Sequence, residues 1–170
     1  QLSIAAGVSS TADGDDQAAN KVGIMTDEGT DSVGLNAAYT TDSWSLAAAY
    51  IHDDGAKEDG TSTWGINGTY IFDESNLPTL SAGYETQATA GTDTSGYFFG
   101  LTWPEVGPGS VSVGAATKGN FADTATEYMI YEASYSYPVN DGLTVTPGVF
   151  IEETAGDDLT GIIVKSSFSF

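Results

Sequence analysis

Apolar and polar residues alternate with a period of two along most of the chain, and helical periodicity is scarce. Successive strand residues point to opposite faces of a sheet, so the alternation predicts strands with one apolar and one polar face. Each segment is about ten residues long, as in tilted membrane strands, whereas soluble strands are usually shorter. The ten predicted strands are 1–9, 32–40, 43–52, 62–72, 78–87, 95–103, 109–117, 127–137, 143–152 and 160–170.

The connections between these segments alternate in length. Four are short and rich in turn residues, namely TTD (40–42), DESNL (73–77), PEVGP (104–108) and PVNDG (138–142). The connections between them are mostly longer and acidic, and the tightest is ETAGDD (153–158). Short turns at one end and long loops at the other predict an all-β, transmembrane, antiparallel up-and-down β-barrel with both termini on the short-turn side. We expect residues 1–170 to form a single such domain, or the C-terminal portion of one.

Aromatic residues on the predicted apolar face cluster at the two ends of the strands and leave an aliphatic band between them. This arrangement is typical of the two aromatic girdles that lie at lipid headgroups. Near the short turns lie Tyr39, Trp44, Tyr70, Phe72, Trp103, Tyr135, Tyr137, Phe168 and Phe170. Near the long loops lie Tyr50, Trp64, Tyr84, Tyr97, Phe99 and Tyr131.

The alternative to a membrane barrel is a β-sandwich, whose apolar face would pack on a second sheet and whose aromatics would favour strand centres. The charges favour the barrel. Most of the acidic residues lie in the long loops or at the short turns, and Glu85 and Glu132 are the two within strand bodies, both on the polar face with Lys165. A basic residue on the lipid side at mid-bilayer would cost about 2–4 kcal/mol.

Composition excludes several other classes of protein. There are 24 acidic residues against four basic ones, so the net charge of −20 argues against a nucleic-acid partner. The absence of cysteine excludes disulfides, thiolate metal sites and cysteine nucleophiles. The first residues, QLSIAAGVSS, lack the features of a signal peptide, which predicts a mature chain or an internal start. No apolar run is long enough for a spanning helix.

The polar face is dominated by Ser, Thr, Gly, Ala and Asn, which are too small to fill a barrel of ten strands. We therefore expect a water-filled lumen and more strands than this chain supplies. The predicted pore-lining residues are Glu85, Glu132, Lys165, Asn36, Asn67, Thr144 and Thr146. Glu132 and Lys165 are expected at similar height, close enough to create a transverse field, although hydrating the wall or anchoring a loop is an equal alternative.

The long loops are predicted to form an acidic mouth that enriches cations at low ionic strength. Its residues are Asp13, Asp15, Asp16, Asp53, Asp54, Glu152, Glu153, Asp157 and Asp158. No cofactor and no metal site are expected, because the clusters ADGDD (12–16) and AGDD (155–158) lack the full spacing of a calcium loop. Weak divalent-cation binding, shared with lipid headgroups, is the alternative there.

An enzyme is not expected. His52 is the single histidine and is followed by Asp53 and Asp54 at an outer rim. A His–Asp pair could activate water or a serine, but a solvated strand end accounts for it as well.

The last third of the chain resembles the C-terminal barrel of cyanobacterial outer-membrane porins, which belong with the carbohydrate-selective porins. The resemblance lies in GLTWPEVGPGSVSVGAATKG (100–119), YMIYEASYSYPVNDGLTVTPGVFIEE (128–153) and TGIIVKSSFSF (160–170). YTTDSWSLAAAYIHDD (39–54) and WGINGTYIF (64–72) are similar to the preceding hairpins. The most specific elements are DGLTVTPGVF (141–150) and the terminal Phe170.

The resemblance implies a barrel of about sixteen strands, a trimer, a location in the bacterial outer membrane among its lipids, and recognition of Phe170 by the barrel-insertion machinery. Members also carry an N-terminal surface-layer-homology domain, which this chain lacks, so a C-terminal portion or a shortened relative is expected. The predicted function is a porin for passive diffusion of ions and small hydrophilic solutes, preferring cations. The alternative is a structural or adhesive barrel with a blocked lumen.

Overall fold

Ten β-strands make up the regular structure of the chain in a computed structural model, which describes residues 1–12, 29–53, 60–74, 76–89, 92–117 and 127–169. The strands are β1 (Leu2–Ala12), β2 (Gly29–Thr40), β3 (Trp44–Asp53), β4 (Thr61–Tyr70), β5 (Thr79–Thr89), β6 (Thr92–Val106), β7 (Gly109–Thr117), β8 (Met129–Asn140), β9 (Leu143–Glu152) and β10 (Leu159–Phe168). All ten predicted strands are therefore confirmed, with ends that differ by up to three residues. No helix in the described ranges is long and apolar enough to cross a membrane.

The strands form one sheet in chain order, and each consecutive pair is antiparallel. This is the predicted up-and-down arrangement, in which every connection joins nearest neighbours. Within the described residues, β1 bonds to β2 alone and β10 to β9 alone, so one edge of each of these strands is unpaired.

The short turns are stabilised by local hydrogen bonds. Between β2 and β3, the Thr41 hydroxyl accepts from the Trp44 amide at 3.0 Å, and between β8 and β9 the Asn140 side chain accepts from the Gly142 amide at 2.9 Å. Between β6 and β7, Gly107 has φ of +63°, a left-handed conformation that favours glycine. These contacts agree with the turn chemistry of the sequence.

Two of the predicted turns begin later than expected. PEVGP (104–108) and PVNDG (138–142) were predicted as connections, but β6 continues to Val106 and β8 to Asn140. Both strands have an irregular register at the proline, between Trp103 and Val106 and between Pro138 and Asn140. Proline has no N–H for the ladder, so it is tolerated in a strand at such a bulge.

Among the described residues, no second layer of protein covers the apolar face. No hydrophobic side chain in the described part of the chain is buried, and Leu46 and Val164 are 45% and 61% exposed. Leu101, which pairs with Leu80 and Val113, is half-buried by its neighbours within the same sheet. The sandwich alternative is therefore wrong for these strands, and the apolar face is free to contact lipid.

Aromatic rings on the apolar face touch one another at both ends of the strands. At the short-turn end, ring centroids are 5.2 Å apart for Tyr39 and Trp44 and 4.8 Å for Tyr70 and Phe72. At the loop end, Trp64 lies directly opposite Tyr50 in the register, and its ring is 5.4 Å from that of Tyr84. The rings thus occupy the two levels that the sequence indicates, while their contact with headgroups stays a prediction.

Candidate functional site

The polar face of the sheet is the candidate site, because it carries all seven predicted pore-lining residues. Cross-strand pairing shows their common face: Asn36 lies opposite Ala5 and Ala49, and Asn67 lies opposite Ala47 and Gly83. Nearly every position beside these amides is Ala or Gly, so the amides are exposed and extend beyond the small side chains around them.

The wall nearer the short turns of β6 to β9 is lined by hydroxyl groups. The Thr102 and Ser112 hydroxyls are 3.0 Å apart, and the Thr146 hydroxyl donates to that of Ser136 at 3.3 Å. Thr144 lies one step further along the same face and is half-buried. Hydroxyls on such a surface can bond both to one another and to water, which suits a hydrated wall.

Glu85 is a charged residue of this face with a glycine directly opposite it on both neighbouring strands. Its cross-strand neighbours are Gly65 on β4 and Gly96 on β6, so no side chain stands beside it on either strand. A Cβ at Gly65 would lie 3.4 Å from Glu85 Cβ, and one at Gly96 would lie 3.8 Å from Glu85 Oε1. Glu85 makes no hydrogen bond or ion pair with any residue that the structure describes. Its carboxylate therefore faces the space above the wall.

Phe98 is a large apolar residue on the polar face and lies directly opposite Gly83. Its ring leans over this glycine so closely that a Cβ at position 83 would overlap it. The same arrangement recurs on β9 and β10, where the Phe150 ring covers Gly161. The sequence shows that Phe98 is an exception to the alternation. Its position over Gly83 could not be predicted, because it depends on the register between β5 and β6.

Glu85 and Phe98 share a recess of about 550 Å³. Its polar-face lining includes Asn36, Ala47, Ala49, Gly65, Asn67, Gly83, Glu85 and Phe98. The floor consists of small residues, and the amides, the carboxylate and the ring lie around it. The recess can therefore hold a solute that has both a polar and an apolar part.

Glu132 and Lys165 are not close together, contrary to the sequence-based expectation. Glu132 pairs with Phe150 of β9, whereas Lys165 pairs with Thr146, four residues away on that strand. With one strand between them and this offset, the two positions are about 16 Å apart along the sheet. Neither side chain has an ion pair or hydrogen bond to a described residue. Each charge therefore acts separately.

Five of the predicted mouth residues lie in the described ranges. Asp53 and Glu152 end strands on the polar side, and Asp157 and Asp158 are exposed in the tight loop after β9. Glu153 is different, because its carboxylate accepts from the Met129 amide at 3.0 Å and from the Tyr131 hydroxyl at 3.3 Å on the apolar side. Asp13, Asp15, Asp16 and Asp54 lie outside the described residues.

No group of three or more potential metal-ligating side chains occurs among the described residues. The cluster at 155–158 contributes two carboxylates, and the cluster at 12–16 lies almost entirely outside the described part of the chain. Weak divalent-cation binding at these loops stays a prediction.

His52 lies on the apolar face at the loop end of β3, opposite Ser62 of β4. Its Nδ1 is 2.8 Å from the Ser62 hydroxyl, which is also 3.4 Å from the Tyr50 hydroxyl. These contacts link β3 and β4 at the level of the upper aromatic rings.

Comparison with known proteins gives one match. A protein-family model described as Gram-negative porin matches residues 1–158, which is most of the chain. Neither curated proteins nor solved structures gave a significant match. The family and the strand-only fold point to a channel in the bacterial outer membrane and away from an enzyme. The chain belongs to the Gram-negative porin family.

Proposed function

We propose that this protein forms a water-filled pore in the outer membrane through which ions and small hydrophilic solutes diffuse, with a preference for cations. The observation that carries the proposal is the single-layer sheet, which exposes its apolar side and has small polar residues on the other. Such a wall can hold water, and uncommitted Glu85 and Glu132 would give the lumen a negative potential.

The charge balance supports the cation preference. The chain carries 24 acidic and four basic residues, and Asp53, Glu152, Asp157 and Asp158 lie at its loop end. A mouth of one sign of charge raises the local concentration of oppositely charged solutes, most strongly at low salt.

Closure of the pore requires partners for the free edges of β1 and β10. Unpaired backbone groups are very costly in hydrocarbon, which is why membrane sheets close on themselves. The few large side chains on the polar face support a barrel wider than ten strands. Strands outside residues 1–170, or those of a second copy, would complete it.

The finer features of this proposal come from the resemblance to cyanobacterial porins. They are a cyanobacterial source, a trimeric assembly and recognition of Phe170 by the barrel-insertion machinery. Contact of the aromatic rings with outer-membrane lipid agrees with their two levels on the apolar face.

Recording of single channels in planar bilayers tests the proposal. We expect stable conductance steps and, across a potassium chloride gradient, a reversal potential of the sign that cation preference requires. An absence of conductance from folded protein would favour the structural or adhesive barrel with a blocked lumen. A reversal potential of the opposite sign would refute the electrostatic part of the proposal alone.

A further inference from the structure

The recess around Gly83 brings together three kinds of group. Asn67 and Phe98 lie directly across from Gly83 on the two neighbouring strands, and Glu85 lies two residues along on the same face. Glu85 and Phe98 are thus diagonal neighbours, a relation in which side chains about 7–8 Å apart at their Cα atoms can contact the same object. An aromatic ring, a carboxylate and an amide therefore lie around the same small surface at Gly83.

The ring is available to a ligand. Phe98 is 44% exposed even though its ring leans on Gly83, so much of its surface faces the lumen. The carboxylate is available as well, because Gly65 and Gly96 leave no side chain directly opposite it and no described residue is paired with it. An exposed ring and an unpaired carboxylate beside each other are more typical of a binding site than of a structural contact.

The geometry points to an organic ammonium ion with an alkyl or aryl group as the solute that binds in this recess. Cations are attracted to aromatic rings within about 6 Å and to carboxylates, and substituted ammonium groups also have an apolar surface to bury. Anions would be repelled by Glu85, and a small inorganic cation would gain little from Phe98 because it keeps its hydration shell. This inference rests on the part of the proposed function that exposes the polar face to water, and it does not need the pore to conduct.

Binding of benzyltrimethylammonium tests the inference directly. The full chain, folded in neutral detergent micelles, is added to the ligand in steps, and the NMR signal of the ligand's methyl groups is followed. We expect saturable binding that is weakened about two- to fivefold by Phe98→Ala, the size of an exposed cation–π contact. Glu85→Gln should weaken it by a similar factor.

Two matched variants separate the recess from general effects. Phe99→Ala removes the same side chain from the adjacent residue on the apolar face, and we expect unchanged binding. Glu132→Gln removes another exposed carboxylate from the polar face, and we expect a smaller loss than with Glu85→Gln. Circular dichroism checks that each variant retains its strands.

The outcomes are distinct from those of the conductance experiment. No saturable binding, equal effects of Phe98→Ala and Phe99→Ala, or equal effects of Glu85→Gln and Glu132→Gln would overturn the inference, even if the protein conducts potassium. Conversely, recess-dependent binding by a protein without conductance would support the inference and contradict the proposed pore.

Discussion

Glu132 and Lys165 lie on the same face of the sheet but four residues out of register, with β9 between them. At about 16 Å, their separation exceeds the Debye length of about 8 Å at physiological salt. Each side chain therefore contributes its own charge to the lumen, and no transverse pair forms.

This separation predicts independent effects on ion selectivity. We expect Glu132→Gln to lower the cation preference and Lys165→Gln to raise it, because each substitution removes a charge of opposite sign. The effects of substitutions at distant sites add. When the permeability ratios obtained from the reversal potentials are converted to free energies, the double variant should therefore show the sum of the two single shifts. A double variant that departs from this sum by more than about 0.5 kcal/mol would indicate direct coupling.

The contact between Phe98 and Gly83 predicts that a side chain at position 83 would displace the Phe98 ring. In Gly83→Ala the new methyl would overlap the ring, and because this ring is exposed and can move aside, the cost should be about 1 kcal/mol or less. Thermal unfolding in micelles should show a lower midpoint than for the wild type. The double variant Gly83→Ala with Phe98→Ala should recover most of the difference.

Gly7→Ala is the matched control for this substitution. Gly7 lies on the same face of β1, and a Cβ there would meet nothing within 4 Å. We expect its unfolding midpoint to stay near that of the wild type. Equal losses in both variants would mean that loss of glycine itself, not the overlap with Phe98, determines stability.

The strands and faces could be predicted from the sequence because a period-two pattern fixes both. All ten strands and the faces of Glu85, Glu132 and Lys165 follow from it. Distances along the sheet could not be predicted, because they depend on the register between strands, which the bulges at Pro104 and Pro138 also alter. For the same reason the recess could not be predicted, because it depends on the register that places Phe98 opposite Gly83 and a glycine on each side of Glu85.

The two faces predict opposite tolerance for charge at adjacent positions of β3. Leu46→Lys would place an ammonium on the lipid side and should lower the free energy of unfolding by about 2–4 kcal/mol. Ala47→Lys would place it on the aqueous wall and should change stability by no more than about 0.5 kcal/mol. Urea-dependent folding into lipid vesicles measures both, and equal losses would contradict the assignment of faces.

Glu153 is predicted to hold the loop ends of β8 and β9 together. Its carboxylate accepts from the Met129 amide and from the Tyr131 hydroxyl, and hydrogen bonds to charged groups contribute about 1.5–3 kcal/mol. Glu153→Ala should therefore speed amide exchange at Met129 by about tenfold or more. Asp157→Ala, which removes an exposed carboxylate from the same loop, should leave that rate unchanged.

The orientation of the sheet in the membrane is the claim on which the pore, its selectivity and the recess depend. Because the chain has no cysteine, a single thiol can be introduced at each of residues 98–101 of β6 and given a spin label. In lipid vesicles, labels at 99 and 101 should collide mainly with oxygen, and labels at 98 and 100 mainly with a water-soluble nickel complex. Labels at 99 and 101 shielded from both reagents, as in a protein core, would contradict the account.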